Sequence, residues 1–219
     1  MCPVLLTRTM DVFGNEVGLR GYDSSQSNTI YLPGVDRVYS KSGQEKIHGQ
    51  FRSRNEVWTD LIESNDYKAV VLGGSYAIHY ESDSFVHENE RGKQVFRDSF
   101  RRALRVIEEA GARAFVITGS PVLIDTEYDC GLSNERFGKS LPCKYPRSRH
   151  DDKFSEWSAF VSQLKQEFPR VVFIDPVAVL CDDDYCYAEL DGLPFYHDSN
   201  HLNYIGSQKI GRRYIQEFG

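Results

Sequence analysis

Near the C-terminus an aspartate and a histidine stand three residues apart, at Asp198 and His201, just before a segment with helical apolar spacing. At the start of a helix this spacing lets the carboxylate turn toward the imidazole. The carboxylate can then fix the tautomer of the ring and stabilise the imidazolium that forms when the ring accepts a proton. The pair is therefore typical of a general base in acyl transfer, a chemistry that also needs a nucleophile.

The serine best placed to act as that nucleophile is Ser75, which follows the apolar residues 67–72 and the glycines Gly73 and Gly74. A serine at a sharp turn after a buried strand is expected to expose its hydroxyl group. The backbone N–H groups of Gly74 and Ser75 can then form an oxyanion hole. Ser75 is thus the candidate nucleophile and Gly74 the candidate oxyanion donor.

The elements that must position these residues alternate between strands and helices in the second two-thirds of the chain. Apolar runs at residues 69–72, 114–118 and 171–174 predict buried strands, and amphipathic segments between and after them predict helices. Asn203 is placed to cap the last helix. The alternation predicts an α/β fold in which a central parallel sheet is covered on both faces, a three-layer sandwich with functional groups at the carboxyl ends of the strands.

The length of 219 residues favours a single domain, 1–219. Within it we expect an irregular N-terminal part, residues 1–66, with a short strand at 29–32, and an alternating core over residues 67–219. The net charge of −6, with scattered lysines and arginines, argues against nucleic acid as a partner. The sequence has no apolar run of about 20 residues that would span a membrane.

Four of the five cysteines form two local pairs in loop-like segments, Cys130 with Cys143 and Cys181 with Cys186. We interpret them as two disulfides, which indicates an oxidising compartment and leaves Cys2 unpaired. A four-cysteine zinc site is an alternative, although the spacings C-x12-C and C-x4-C differ from the tight C-x2-C pairs of zinc ribbons. Free buried thiols in the cytosol are a third interpretation, and the N-terminal stretch, too short for a signal peptide, agrees with it.

The C-terminal third resembles the end of the SGNH domain that is fused to bacterial acyltransferase-3 membrane proteins. The resemblance rests on the pair Cys181 and Cys186, the dipeptide Asp191-Gly192 and the Asp-x-x-His-Leu motif within residues 196–206. It implies the flavodoxin-like fold of SGNH hydrolases and a Ser, Asp and His triad. It also implies O-acylation, chiefly O-acetylation, of cell-surface polysaccharide in the periplasm, with an acyl donor, a polysaccharide acceptor and an acyltransferase-3 membrane domain as partners. No cofactor is implied.

The chain departs from this family in one respect, because it contains no Gly-Asp-Ser, the motif that carries the family's nucleophile after the first strand. The N-terminal Cys2-Pro3 resembles the segment that follows that first strand and helix. We therefore expect the chain to begin part-way into the domain and to lack the first strand and its serine. The alternative is that Ser75 is the nucleophile, although it follows the strand that in this family supplies an oxyanion donor.

The function follows from which of these two expectations is right. With a nucleophile, the chain is an SGNH-type O-acyltransferase or esterase acting on polysaccharide. Without one, it is a catalytically silent fragment or a carbohydrate-binding module. A metal-dependent hydrolase built on His197, Asp198 and His201 is disfavoured, because no further histidine or carboxylate cluster stands at ligand spacing.

Overall fold

The structure is a computed structural model that describes residues 4–24, 29–124, 128–190 and 192–218, without the side chains of residues 4–8 and 41. Cys2 and Asp191 lie outside the described residues. The chain divides into two compact units. The first unit consists of residues 1–28, 119–155 and 175–219, and the second of residues 29–118 and 156–174.

Helices and strands alternate along most of the described chain. The helices are α1 (Val4–Glu16), α2 (Phe51–Glu63), α3 (Tyr76–Tyr80), α4 (Lys93–Glu109), α5 (Cys130–Phe137), α6 (Arg147–Lys153), α7 (Ser155–Glu167), α8 (Val177–Leu180) and α9 (Tyr204–Phe218). The strands are β1 (Asp36–Lys41), β2 (Gln44–Ile47), β3 (Ala69–Leu72), β4 (Phe85–His87), β5 (Glu90–Arg91), β6 (Arg113–Ile117), β7 (Lys144–Pro146), β8 (Val172–Ile174), β9 (Tyr185–Tyr187), β10 (Glu189–Leu190) and β11 (Leu193–Pro194).

A three-stranded parallel sheet in the order β3-β6-β8 lies in the second unit. Ala69 pairs with Arg113 and Phe115 pairs with Val172, so all three strands run in the same direction. Parallel strands need a crossover connection, and the long helix α4 supplies the one between β3 and β6. The three strands predicted from the sequence, their parallel direction and the α/β class are confirmed.

The core of the second unit is built around α4, whose apolar face is an aromatic stripe. Phe96 and Phe100 are fully buried and their rings stack at 6.0 Å. Trp157 of α7 packs edge-on against Phe100 at 5.9 Å, and its Nε1–H donates to the carbonyl of Thr118 at 3.1 Å. The helix ends before Gly111, whose φ of +80° is the left-handed conformation favoured after a helix C-terminus.

The N-terminal part of the second unit is more regular than the sequence suggested. Strands β2, β1, β4 and β5 form an antiparallel sheet in that order, and α2 follows β2. The strand predicted at residues 29–32 is wrong, since these residues form no strand. The N–H of Leu32 instead donates to the side-chain oxygen of Asn55 at 2.6 Å, so a helix side chain replaces a strand partner.

In the first unit the N-terminal helix α1 packs against the C-terminal helix α9. The hydroxyl of Thr9 donates to the carbonyl of Ser207 at 2.8 Å and lies 2.9 Å from the Ser207 hydroxyl. A methyl group at Gly211 would lie 3.2 Å from the Thr9 carbonyl oxygen, so the two helices approach closely there. The expectation of an irregular segment at residues 1–66 is therefore wrong for α1, whose partner stands at the other end of the chain.

Two disulfides join the predicted cysteine pairs, both in the first unit. Cys130 bonds to Cys143 with an S–S distance of 2.05 Å, and Cys181 bonds to Cys186 at 2.01 Å. The zinc-site and free-thiol interpretations of these four residues are therefore wrong. Among the helices in the described ranges, none combines the length and the apolar character that crossing a membrane requires.

Candidate active site

The loop before α9 is closed by backbone contacts between its two ends. Tyr196 and Leu202 form an antiparallel bridge, and the N–H of His197 donates to the carbonyl of His201 at 2.6 Å. The side chains of Tyr196 and Leu202 are buried, which fixes the base of the loop in the first unit. Residues 197–201 thus form a short loop that is closed at its base and contains Asp198.

Asp198 uses both carboxylate oxygens within this loop. Its Oδ1 accepts hydrogen bonds from the backbone N–H groups of Asn200 at 3.0 Å and His201 at 2.8 Å. Its Oδ2 lies 2.5 Å from Nδ1 of His201. The predicted contact between the two side chains is confirmed, and the same carboxylate also shapes the turn between them.

The electrostatics of the pair determine which ring nitrogen of His201 carries the proton. Partial burial raises the pKa of Asp198, but the hydrogen bonds from His201 and from the two backbone N–H groups outweigh it, so the net pKa is lowered. An ionised carboxylate only accepts hydrogen bonds, so Nδ1 of His201 must donate. Nε2 of the neutral ring then carries the lone pair. This Nε2 is buried and has no hydrogen-bond partner among the residues that the structure describes.

The first turn of α9 anchors the loop from the C-terminal side. The side-chain oxygen of Asn203 accepts the N–H of Gly206 at 2.7 Å, and its amide donates to the Pro194 carbonyl at 2.6 Å. Asn203 is therefore the predicted helix cap and also a link to β11. A methyl group at Gly206 would lie 2.6 Å from the carbonyl oxygen of Phe195, so only glycine fits there without displacing the backbone.

A second anchor, which the sequence did not reveal, comes from residues 121–123. The hydroxyl of Tyr196 donates to the Pro121 carbonyl at 2.8 Å, and the N–H of Leu123 donates to the Ser199 carbonyl at 2.8 Å. Burial raises the pKa of Tyr196 well above its usual value, so this hydroxyl stays protonated. Both acceptors are main-chain carbonyls. Each donor lies more than 70 residues from its acceptor along the chain, and the separation between Tyr196 and Pro121 is 75 residues.

Ser75 lies in the second unit, after β3 and the two glycines, as the N-cap residue of α3. The expectation that its hydroxyl group is exposed is wrong, because the residue is only 5% exposed. Its side chain makes no capping hydrogen bond to the helix. A methyl group at Gly74 would lie 2.9 Å from Cγ2 of Ile30, so this residue must be small for the turn to pack. The buried surroundings of the turn explain the low exposure of Ser75.

A histidine also stands near Ser75, in the same short helix. The N–H of His79 donates to the Ser75 carbonyl at 2.9 Å, and its ring packs edge-on against Phe85 at 5.9 Å. Burial, and then the positive charge of Arg37, lower the pKa of His79 to about 3. His79 is therefore neutral at pH 7, and no sequence motif had distinguished it from a packing residue.

The structure brings together some of the predicted site residues and places others in separate units. Asp198 and His201 are in contact in the first unit, whereas Ser75 and Gly74 belong to the second. The ligand atoms of His197, Asp198 and His201 form no cluster of metal-binding geometry among the described residues, and His197 is exposed. The geometry around His201 is that of an imidazole oriented by a carboxylate.

Comparisons with known proteins agree with these features. The family model described as the SGNH domain fused to AT3 domains matches residues 6–216. The structure is similar to that of the periplasmic domain of a lipopolysaccharide acetyltransferase from Salmonella ser. Paratyphi A, with a TM-score of 0.65 and 17% identity. The similarity covers 97% of this chain and 78% of that one. Comparison with the sequences of curated proteins gives no match.

Proposed function

The chain belongs to the family of SGNH domains that are fused to AT3 domains, and on that premise we propose that it transfers an acyl group to cell-surface polysaccharide. In this proposal the acyl group is acetyl, and water replaces the sugar hydroxyl when no acceptor binds, so that an ester is hydrolysed. The similar structure is the periplasmic domain of a lipopolysaccharide acetyltransferase, which supports the substrate class. The observation that carries the proposal is the hydrogen bond between Asp198 and His201, with Nε2 of the imidazole unpartnered among the described residues.

The proposed role of His201 is that of general base and then general acid. Nε2 removes the proton of a serine hydroxyl as the oxygen attacks the carbonyl of the acyl donor, and then gives that proton to the leaving group. A sugar hydroxyl attacks the acyl-enzyme in the second half-reaction, and Nε2 again accepts and returns the proton. Asp198 holds the ring in the productive tautomer and stabilises the imidazolium in both steps.

Ser75 is the nucleophile that we propose to test first, with the N–H of Gly74 as oxyanion donor. It is supported by its place directly after a strand of the parallel sheet and by a hydroxyl that makes no capping bond. Its position two strands later than the family's nucleophile, and the absence of Gly-Asp-Ser, count against it.

We extend the proposal to architecture and location. One SGNH domain with helices on both faces of the sheet is supported by the family model, which runs through segments of both units. An extracytoplasmic position on the periplasmic side is supported by the two disulfides, which persist in oxidising compartments. An acyl donor delivered by an AT3 membrane domain is supported by the fusion that defines the family.

The first experiment compares hydrolysis of an activated acetyl ester by the purified wild-type chain and by Ser75→Ala. Loss of turnover in Ser75→Ala, with an unchanged circular dichroism spectrum, is the expected result. Ser84→Ala is the matched control, because it also removes a serine hydroxyl that lies in the second unit. Equal turnover by wild type and Ser75→Ala would end the assignment of Ser75 while leaving the His201 base intact.

The absence of a Gly-Asp-Ser motif favours a second candidate function, a carbohydrate-binding module without turnover. In that case the purified chain binds polysaccharide fragments but does not hydrolyse acetyl esters. Calorimetric titration with lipopolysaccharide-derived oligosaccharides separates the two functions. Binding without hydrolysis would replace the acyl-transfer proposal by this one.

A further inference from the structure

The disulfide between Cys130 and Cys143 has a carboxylate beside it. The two sulfur atoms and a carboxylate oxygen of Glu189 all lie within 4.8 Å of one another in the first unit. Cys130 is fully buried, whereas Cys143 and Glu189 are partly exposed, so the group can be reached from solvent on one side. We refer to these three residues as the Cys130/Cys143/Glu189 cluster.

The carboxylate of Glu189 is held in place by packing. A methyl group on Gly131 would lie 1.9 Å from Oε2 and 2.6 Å from Cδ of Glu189, so the carboxylate covers the backbone of Gly131. No hydrogen bond or ion pair to this carboxylate occurs among the residues that the structure describes. Glu189 thus presents its oxygens beside the disulfide without a hydrogen-bond donor from the part of the chain that the structure describes.

Two thiolates and a carboxylate are ligands that zinc and similar divalent ions accept. Two ligand atoms about 2.3 Å from a tetrahedral ion stand about 3.8 Å apart. The sulfurs, 2.05 Å apart in the disulfide, must therefore separate after reduction, whereas the Glu189 oxygen already lies within 4.8 Å of both. We propose that the Cys130/Cys143/Glu189 cluster becomes a binding site for a thiophilic divalent metal ion, such as zinc or cadmium, when its disulfide is reduced.

The chemistry balances when a dithiol is the reductant. The dithiol gives two electrons and two protons to the S–S bond, which breaks into two thiols, while the dithiol becomes its own disulfide. The metal ion then displaces both thiol protons and binds the two thiolates and the Glu189 carboxylate, with solvent as the remaining ligand. In the oxidised chain the sulfurs are bonded to each other and the site does not form.

The second disulfide, between Cys181 and Cys186, lies next to Asp182, whose carboxylate already accepts hydrogen bonds. Oδ1 of Asp182 accepts the N–H groups of Asp184 at 2.9 Å and Tyr185 at 2.7 Å, and Oδ2 accepts the hydroxyl of Tyr187. These bonds lower the pKa of Asp182, chiefly through the Tyr187 hydroxyl. Asp182 belongs to the turn, so the pair Cys181 and Cys186 serves as an internal comparison without an available carboxylate.

The test measures cadmium binding by the full chain after anaerobic reduction, from the ultraviolet thiolate-to-metal charge-transfer band. We expect one cadmium ion per chain in the reduced protein and no band in the oxidised one. Glu189→Gln keeps every cysteine and is expected to weaken binding by at least about tenfold, since losing even an outer-shell partner costs about 10- to 100-fold. Asp182→Asn is the matched control and should leave the affinity unchanged.

A second set of variants tests whether the other thiols of the reduced chain bind the metal ion. The replacement of Cys2, Cys181 and Cys186 by serine should preserve the band, and the replacement of Cys130 and Cys143 by serine should abolish it. If the serine variants do not fold, the comparison of Glu189→Gln with Asp182→Asn still decides the matter. Equal affinity in Glu189→Gln and wild type, or a band that survives loss of Cys130 and Cys143, would overturn the proposal.

Discussion

His201, in the loop before α9, contacts Asp198, and His79, in the helix after β3, contacts Ser75. The electrostatic surroundings of the two histidine rings are nevertheless opposite. Nδ1 of His201 donates a hydrogen bond to the ionised carboxylate of Asp198, and Nε2 has no hydrogen-bond partner within the described ranges. His79 packs its ring against Phe85, and the charge that acts on it is the positive one of Arg37. The first environment places a carboxylate beside the ring, whereas the second lowers the pKa of the ring by burial and by a nearby positive charge.

The difference shows that closeness to a serine does not by itself make a histidine a base. His79 is four residues from Ser75 and is hydrogen-bonded to it through the backbone, but its pKa of about 3 leaves the ring a poor proton acceptor at pH 7. His201 has the partner that fixes its tautomer only three residues away. The carboxylate, and not the neighbouring hydroxyl, distinguishes the candidate catalytic residue.

The largest effect is expected from exchanging the two histidines for glutamine in turn. His201→Gln should lower the rate of activated-ester hydrolysis on the order of 10⁴-fold or more, because the proposed general base is lost. His79→Gln should leave the rate within the same order of magnitude as wild type. Steady-state kinetics on both variants checks this, and equal losses would show that the contrast between the two regions has no catalytic meaning.

A smaller loss is expected from Asp198→Asn, on the order of 10³- to 10⁴-fold in kcat. The asparagine oxygen can still accept the N–H groups of Asn200 and His201, so the turn should persist. Its amide nitrogen cannot accept the proton of Nδ1, and the imidazole must change tautomer. Kinetics together with ¹⁵N NMR of the ring measures both consequences, and Asp183→Asn in an exposed loop is the control. Full activity with a changed tautomer would contradict the assigned role.

Two glycines allow the packing of the same two regions to be compared. Gly206→Ala forces a methyl group within 2.6 Å of the Phe195 backbone, whereas Gly74→Ala meets the side chain of Ile30 at 2.9 Å. We expect Gly206→Ala to lower the free energy of unfolding by about 1 to 3 kcal/mol, the usual cost of overpacking. Gly74→Ala should cost less, because a side chain can move. Urea unfolding measures the difference, and the reverse order would contradict it.

The smallest effect concerns how stability depends on pH. The folded pKa of His79, about 3, lies below its unfolded value of about 6.5, so between these values the unfolded chain binds a proton that the folded chain does not. This residue therefore stabilises the fold less as pH falls below about 6.5, by up to about 1.4 kcal/mol per pH unit.

His79→Gln should remove that contribution, so its loss of stability between pH 7 and pH 5 should be smaller than that of wild type. Urea unfolding at the two pH values measures this. The exposed His197→Gln is the control and should follow the wild-type trend. A variant as acid-sensitive as wild type would mean that His79 is solvated and that the environments of the two histidines differ less than their contacts indicate.

The elements that could be predicted from the sequence are those set by local patterns. The strands β3, β6 and β8 are short apolar runs between turn residues, and α4 shows its apolar face at three- and four-residue steps. The contact between Asp198 and His201 was predictable for the same reason, since three residues separate its partners. The two disulfides are likewise local, with separations of 13 and 5 residues.

The features that could not be predicted depend on distant partners. Helix α1 is stabilised through contacts such as that of Thr9 with Ser207, 198 residues away. The burial of Ser75 depends on the packing around its turn, which no local pattern encodes. Glu189 stands 46 residues after Cys143, and only the fold brings its carboxylate to the disulfide. Single-sequence patterns carry no record of such separations.

The link between residues 121–123 and the loop around His201 uses main-chain acceptors and the N–H of Leu123. Main-chain groups are present whatever side chain a position carries. Val122, between the two linking residues, and Ile124, after them, are partly exposed and can therefore change identity while His201 keeps its position. The chain thus has two positions at which a side chain near the loop around His201 can be exchanged without removing the hydrogen bonds that hold this loop.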